Sequence, residues 1–583
     1  ALDAACAARL VAETDGPPAG YRFVHALVRH TVSDGLGAAR RMQLHRATGA
    51  ALAAVTGDSW REHAADLARH WLAATPPAGA GAEEVGRTLD YAQEAAGRAA
   101  AALAYEEAAA ILGRSVPLLR QLDDPARRAE LLVSLGEAQH HAGEAAHRAT
   151  LREAAGLALD LRLGVLAERA VLANLRPVNV LAAVDPDRVG LLECVLDCLG
   201  PADTAARARV LAALASELHH TADPRRHDLA REAITVARRL DDPICLGRVL
   251  AVAGFSLWGP HTLAERVAIA AELGALAEPL GEPVLQIDAG LALYYAAAQD
   301  GNFDRARAGL ASATRLAEDL GQPAMRLRAL LAQQSCAMLE GRFADFKRHA
   351  AQALRFGEAL GNPDAPGILH GDGATARLLL GHFDEAAEGL DAARAALRLP
   401  TAFSHSWGAW IYAEAGRQAE ARALLAELGC PSLEQVPHNY ARLAVLTFLA
   451  GAAGALEDRD LAARLYPELL LHADQFVLAQ VSALGPVAHY LGALAAVLGW
   501  VQEADAHLRH AAELAERTRA RGLLVRTRLE WARVSLTRGD SRGAAALAGA
   551  AQELATELDA PELARQAAEL LHRIDHARRT GTA

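Results

Sequence analysis

The chain has 583 residues, a net charge of −12, 52% hydrophobic but only 4% aromatic residues, and about a quarter alanine. That length is too great for one compact core, and the acidic balance excludes a broadly basic nucleic-acid surface. Six cysteines (Cys6, Cys194, Cys198, Cys245, Cys336 and Cys430) are too sparse for a disulfide framework and suit a reducing, cytoplasmic setting. Alanine is the strongest helix former and lets helices approach closely, so the composition favours packed helices.

In chain order, a helix-like run ends at Leu10-Val11-Ala12-Glu13. Asp15-Gly16-Pro17-Pro18 reads as a turn and Tyr21-Arg22-Phe23-Val24 as a short strand. Two helices follow, near residues 25–36 and 38–54, so residues 1–56 read as the end of a winged-helix domain. Residues 57–82 form a connecting helix, carrying Trp60, Leu67 and Trp71, and a linker at Thr75-Pro76-Pro77-Ala78-Gly79-Ala80-Gly81. Residues 83–577 alternate helix, turn and helix, and 578–583 are a polar tail. The chain starts without methionine inside a motif, which suggests a fragment of a larger protein.

A tight-turn residue recurs at Gly259, Gly301, Gly341, Gly381, Gly416, Asp458, Gly499 and Gly539, in steps of 35 to 42 residues. Five residues later stands Ala264, Ala306, Ala386, Ala421, Ala463, Ala504 or Ala544, with Phe346 breaking the rule. Weaker turns near Ala104, Gly143, Val184 and Ala222 continue the spacing backwards. A helical period near 40 predicts an all-α solenoid superhelix of about a dozen helix pairs. Such an array works by surface. In Leu380-Gly381-His382-Phe383-Asp384-Glu385-Ala386 the glycine permits the reversal, the aromatic staples the second helix to the first, and the alanine admits a neighbour. Phe303 and Phe343 fill the same aromatic slot.

Residues 475–502 carry no charge and are long enough for a membrane span. Gly485-Pro486 splits the stretch, and it ends on the Gly499 turn, so it reads as a buried helix pair. Cys194 and Cys198 share a helix face and read as small buried side chains rather than half a metal or redox site. His507 and His510, three apart without a third ligand, read as surface histidines, so no metal site is assigned. Arg225-Arg226 and Arg238-Arg239 read as solvated helix faces. No residue set has the spacing of a catalytic constellation, so no catalytic residue is assigned.

The repeat Gly-Xaa-Phe-Xaa-Xaa-Ala with its preceding leucines resembles the tetratricopeptide repeat, with a unit longer than usual. The run Tyr21-Arg22-Phe23-Val24-His25-Ala26-Leu27-Val28-Arg29, then Ala38-Ala39-Arg40-Arg41 and Leu44-His45-Arg46, then Ala65-Asp66-Leu67-Ala68-Arg69-His70-Trp71, resembles the winged-helix end of STAND-type signalling ATPases. Leu257-Trp258-Gly259-Pro260-His261-Thr262-Leu263 and Thr527-Arg528-Leu529-Glu530-Trp531-Ala532-Arg533 are similar to that class's repeats, so the resemblance covers essentially the whole chain. Members are large LuxR-like or antibiotic-regulatory transcriptional regulators, and some carry a nucleotide cyclase.

The resemblance implies a sensor and regulatory arm that restrains an ATPase switch, with ATP or ADP bound in the parent protein. No Gly-rich P-loop occurs here, and the single lysine, Lys347, follows Ala344-Asp345-Phe346. No DNA-reading helix-turn-helix closes the chain either. Hence no cofactor, nucleic-acid contact, membrane contact or enzymatic activity is assigned to these residues. The resemblance further implies a nucleotide-sensing role for His25, supported by Arg29 one turn on. The position six residues before each turn usually lines the groove in tetratricopeptide arrays; here it holds Tyr295, Ser335, Thr375, Trp410, Ala493 and Arg533. Tyr295, Trp410 and Arg533 are residue types enriched at binding hot spots, so a protein or peptide partner or a small effector is expected there. The alternatives are a passive interaction scaffold and the regulatory half of a cyclase.

Overall fold

Alanine- and leucine-rich helices joined by short turns account for nearly all of the described structure. The computed structural model describes residues 2–14, 20–25, 28, 31–32, 35–174, 185–220, 223–360, 365–397, 401–429, 433, 436, 439–479 and 482–580. Contacts divide the chain into two units, Ala1–Asn174 and Leu175–Ala583.

The first unit opens with α1 (Leu2–Ala7) and an antiparallel hairpin of β1 (Val11–Thr14) and β2 (Gly20–Phe23), with Val11 opposite Phe23. The strand expected near 21–24 is therefore present. The helix-like reading of Leu10–Glu13 is corrected: Arg9 adopts a left-handed φ of 55°, which ends the helix and sends the next residues into β1. Helix α2 (Ala38–Thr56) and a 3-10 segment, Gly57–His63, lead into α3 (Ala64–Ala74). Leu67 and Trp71 of α3 are buried against Tyr91, and Trp60 meets that ring edge-on with centroids 5.2 Å apart. Then come α4 (Ala82–Ala101), α5 (Tyr105–Ser115), α6 (Pro125–His141), α7 (His147–Asp160) and α8 (Gly164–Ala173).

The second unit comprises α9 (Pro186–Leu199), α10 (Ala205–Glu217), α11 (Arg225–Arg239), α12 (Pro243–Ser256), α13 (Leu263–Leu280), α14 (Pro283–Gln299) and α15 (Phe303–Leu320). It continues through α16 (Pro323–Leu339), α17 (Phe343–Ala359), α18 (Ala365–Leu380), α19 (Phe383–Ala396), α20 (Thr401–Glu414), α21 (Gln418–Glu427), α22 (Arg442–Leu456) and α23 (Arg459–Leu470). A hairpin of β3 (Phe476–Ala479) and β4 (Ser482–Pro486) precedes α24 (Val487–Leu498), α25 (Val501–Thr518), α26 (Leu524–Thr537), α27 (Ser541–Glu557) and α28 (Pro561–Thr580). The fold is thus the expected all-α solenoid, with two small hairpins among the described residues. Val184 and Ala222, expected as turns, lie outside the described residues.

The turn logic holds with a changed register at two sites. Gly301, Gly341, Gly381, Gly416, Gly499 and Gly539 have φ between 72° and 82°, the left-handed region glycine tolerates. The next residue then takes the N-cap position of the following helix, and two of these cap it with a side chain: Asn302 accepts from Arg305 N at 3.4 Å and Asp540 from Gly543 N at 2.8 Å. In the repeat expected to turn at Asp458, the left-handed residue is Glu457 (φ 52°), and Asp458 is the cap, accepting from Leu461 N at 3.0 Å. The buried alanine there is accordingly Ala462, whereas Ala463 is exposed. Gly259 is extended (φ −168°) and a 3-10 turn delays the helix, which leaves Ala264 exposed. Four residues after the cap Thr262, the slot held elsewhere by alanine holds the buried Arg266, whose guanidinium lies 4.7 Å from the Trp258 ring.

Within the second unit the superhelix folds back on itself. Gln299 Nε2 donates to Gln475 Oε1 at 3.0 Å, Arg307 to Thr518 O at 2.7 Å, and Gly522 N to Leu339 O at 3.0 Å. Ser482 Oγ donates to the buried Asp372 at 2.9 Å, and the His382 ring meets Asp559 O at 3.3 Å. One buried apolar cluster runs from Trp258 to Ala567 as a result. The aromatic slot takes part in this closure: Phe303 packs edge-on against Phe476 at 4.9 Å, and Arg526 lies 5.8 Å from the Phe383 ring. These aromatics therefore dock later repeats as well as their own helix pair.

The expected helix pair over 475–502 is corrected to a hairpin followed by one helix. Its Ser482–Pro486 strand is buried throughout, and a short apolar run buried on both faces suits a strand. Among the described residues no helix is long and apolar enough to cross a membrane.

Candidate functional site

Tyr295 does not join the other two groove candidates. It packs on Trp258 with centroids 4.9 Å apart and on Tyr294 at 4.9 Å, in the buried cluster near the start of the closure. Burial raises its hydroxyl pKa above the ordinary tyrosine range. Ser335 and Thr375, at the same repeat position, are buried. Ser335 and Thr375 are thus interior packing positions, and Tyr295 is half-buried.

Trp410 and Arg533 line one cavity of about 290 Å³ formed by α20, α22, α24, α26 and α28. Four successive repeats contribute the same position, six residues before the left-handed turn residue: Trp410, Gly451, Ala493 and Arg533. Gly451 emerges only from the corrected Glu457 turn. It must be glycine, because a Cβ there would stand 2.4 Å from the Trp410 indole. That close approach buries Trp410 to 1% exposure and aims its Nε1 at Glu414 Oε1, 3.1 Å away.

The cavity walls carry two ion pairs. Glu414 accepts from Arg526 across 112 residues of sequence, with both side chains largely buried. Burial pulls the Arg526 guanidinium down to about 10, so it remains charged at neutral pH. Glu530 pairs with Arg533 one helical turn on; both are partly exposed, and Arg533 also reaches Gln566 Oε1 at 3.4 Å. His489 contacts Thr527 Oγ1 at 3.1 Å, and burial pulls it down to about 4, so this wall is uncharged at neutral pH. The site combines two positive and two negative side chains with an apolar floor of Ala450, Ala493, Leu529 and Leu563.

Of the nucleotide-sensing pair, His25 lies exposed just beyond β2, and Arg29 lies outside the described residues. His507 is not a plain surface histidine: it is half-buried, with Nε2 2.8 Å from Tyr466 Oη. His510 pairs with Asp474 at 3.0 Å. Cys194 is exposed and Cys198 only half-buried, which corrects the expectation that both are buried; Cys430 lies outside the described residues. Arg225, Arg238 and Arg239 form exposed ion pairs, but Arg226 is 1% exposed with its guanidinium donating to Ser256 O at 2.9 Å. Solvated faces are therefore the right reading for the first three only.

Sequence spacing located Trp410, Ala493 and Arg533. It missed Glu414 and Arg526, which are ordinary helix charges until the superhelix closes. The Gly451 signal was present but displaced by one residue.

No family model and no curated protein matches the chain. Among solved structures it is similar to the APC/C hetero-tetramer Cut9-Hcn1, at 14% identity over 92% of this chain and 94% of that one, with a TM-score of 0.49. It is also similar to yeast Tom70, at 13% identity over 92% and 97%, with a TM-score of 0.27. A third likeness is to a circular tandem repeat protein with novel repeat topology, at 15% identity over 91% and 97%, with a TM-score of 0.15. The solenoid assignment rests on the chain's own helix order and turns.

Proposed function

We propose that this chain is a non-catalytic interaction arm whose self-closure is the element that regulation acts on. The observation supporting this is the row of contacts between repeats that are distant in sequence, from Gln299–Gln475 to His382–Asp559. A ligand or partner that favours the closed or the open arrangement shifts the balance between them, which is what a sensing arm requires. The order of N-terminal motifs, by resemblance, attaches this arm to a STAND-type ATPase module. In that reading His25 and Arg29 serve nucleotide sensing, and the parent protein's output is transcriptional. A rigid interaction scaffold is the second reading, favoured by the solenoid architecture itself.

The test is Phe476→Ala, which removes the ring packed on Phe303 at the closure. In the longest natural protein containing this chain, the regulatory reading predicts output that no longer responds to its signal. Hydrogen exchange should also quicken together at Gly341–Arg342 and Arg521–Gly522. Unchanged regulation with quickened exchange overturns the regulatory reading and leaves the scaffold.

A further inference from the structure

The cavity beside Trp410 has a composition that selects a ligand. Its walls hold Glu414 and Glu530 against Arg526 and Arg533, so the charges balance within it. A ligand of net charge would bring one charge without a counterpart into a site whose wall charges already balance, which is unfavourable; a dipolar ligand would not. Neutral His489 adds no charge.

The two ion pairs differ in how readily they exchange partners. Glu414 and Arg526 are 17% and 14% exposed, with the carboxylate also held by Trp410 Nε1, so this pair is a fixed wall. Glu530 and Arg533 are 32% and 42% exposed, and such pairs are weak. A carboxylate can take Arg533 and an ammonium can take Glu530 without leaving either side chain unpaired. The space itself is built in: a Cβ on Gly454 would meet nothing within 4 Å. At about 30 Å³ per water the cavity holds roughly ten waters, the size of a molecule of about ten non-hydrogen atoms.

We propose that this cavity binds a free α-amino acid, its carboxylate on Arg533, its ammonium on Glu530 and its side chain toward Leu529 and Leu563. The proposal rests on the sensing-arm reading and supplies the chemical class of its effector. Binding here bridges α20, α22, α24, α26 and α28, and it meets the closure at Arg526, which lies 5.8 Å from the Phe383 ring and donates to Leu378 O at 3.4 Å.

The experiment uses the full chain, with isothermal titration and thermal melting against the twenty free amino acids. Each is accompanied by its decarboxylated amine and its deaminated acid. The expected result is that one or a few amino acids bind and raise the melting temperature while their amine and acid counterparts do not. Arg533→Ala should weaken that binding about tenfold or more. Gly454→Leu should fill the space and abolish it. Arg533 is partly exposed, so its variant folds whether or not Gly454→Leu does. Failure of every amino acid to bind, equal binding by the acid alone, or binding unchanged in Arg533→Ala would overturn the proposal. Those failures leave the regulatory reading to the Phe476→Ala assay. Conversely, amino-acid binding that leaves exchange at Gly341–Arg342 unchanged supports the site and overturns its regulatory role.

Discussion

Ala462 and Ala463 are sequence neighbours with opposite surroundings, the first fully buried at a helix crossing and the second exposed. Ala462→Leu should cost about 1–3 kcal/mol through overpacking, and Ala463→Leu should stay within about 0.5 kcal/mol. Comparing their denaturant midpoints tests the register set by Glu457. At Asp372, burial pushes the carboxyl from 3.8 up to about 7, against the lowering effect of its bonds from Ser482 and Gln334. Well below pH 3.8 it is protonated in both folded and unfolded chains. As pH rises toward 7, the unfolded chain ionises first, so stability is lost across that window and the loss levels off above it. The melting temperature of the native chain relative to Asp372→Asn should therefore fall between about pH 4 and 7 and stay flat beyond. A difference that does not vary with pH would refute the assignment.

At the scale of the element, the turn glycines separate two causes that the sequence merges. Gly381 (φ 79°) and Gly416 (φ 74°) both need the left-handed conformation, so alanine at either costs about 1 kcal/mol. Only at Gly381 would the new methyl also meet a later repeat, with Leu563 Cγ 3.0 Å away; at Gly416 nothing lies within 4 Å. Gly381→Ala should be the more destabilising, and equal effects on unfolding midpoints would argue against closure at that edge. The 476–486 hairpin shows the limit of pattern reading. Its residues are apolar on both faces, so periodicity could not tell strand from buried helix. What fixes the strand is burial on both sides, with Phe476 lying over Gly301 and Ser482 reaching Asp372.

For the second unit as a whole, closure makes stability non-local. In an array coupled only through nearest neighbours, truncation after Ala473 would leave α14 to α17 intact. Here it would strip Phe303 of Phe476 and Leu339 O of Gly522 N. Amide exchange around Met338–Arg342 should therefore accelerate and apolar dye binding should rise. Unchanged exchange there would mean that the repeats behave as an open array.

The 40-residue recurrence, the left-handed glycines and the buried alanines were legible because they obey local rules: a reversal needs a residue that tolerates positive φ, and a close crossing needs a small side chain. That sufficed for an all-α solenoid and for the repeat position that collects Trp410, Ala493 and Arg533. Tertiary structure decided which later residues cover that position and which pair across it. Glu414 and Arg526 stand 112 residues apart with no local signal linking them. Their meeting depends on the curvature accumulated over several repeats, a sum of small packing angles that no single turn encodes.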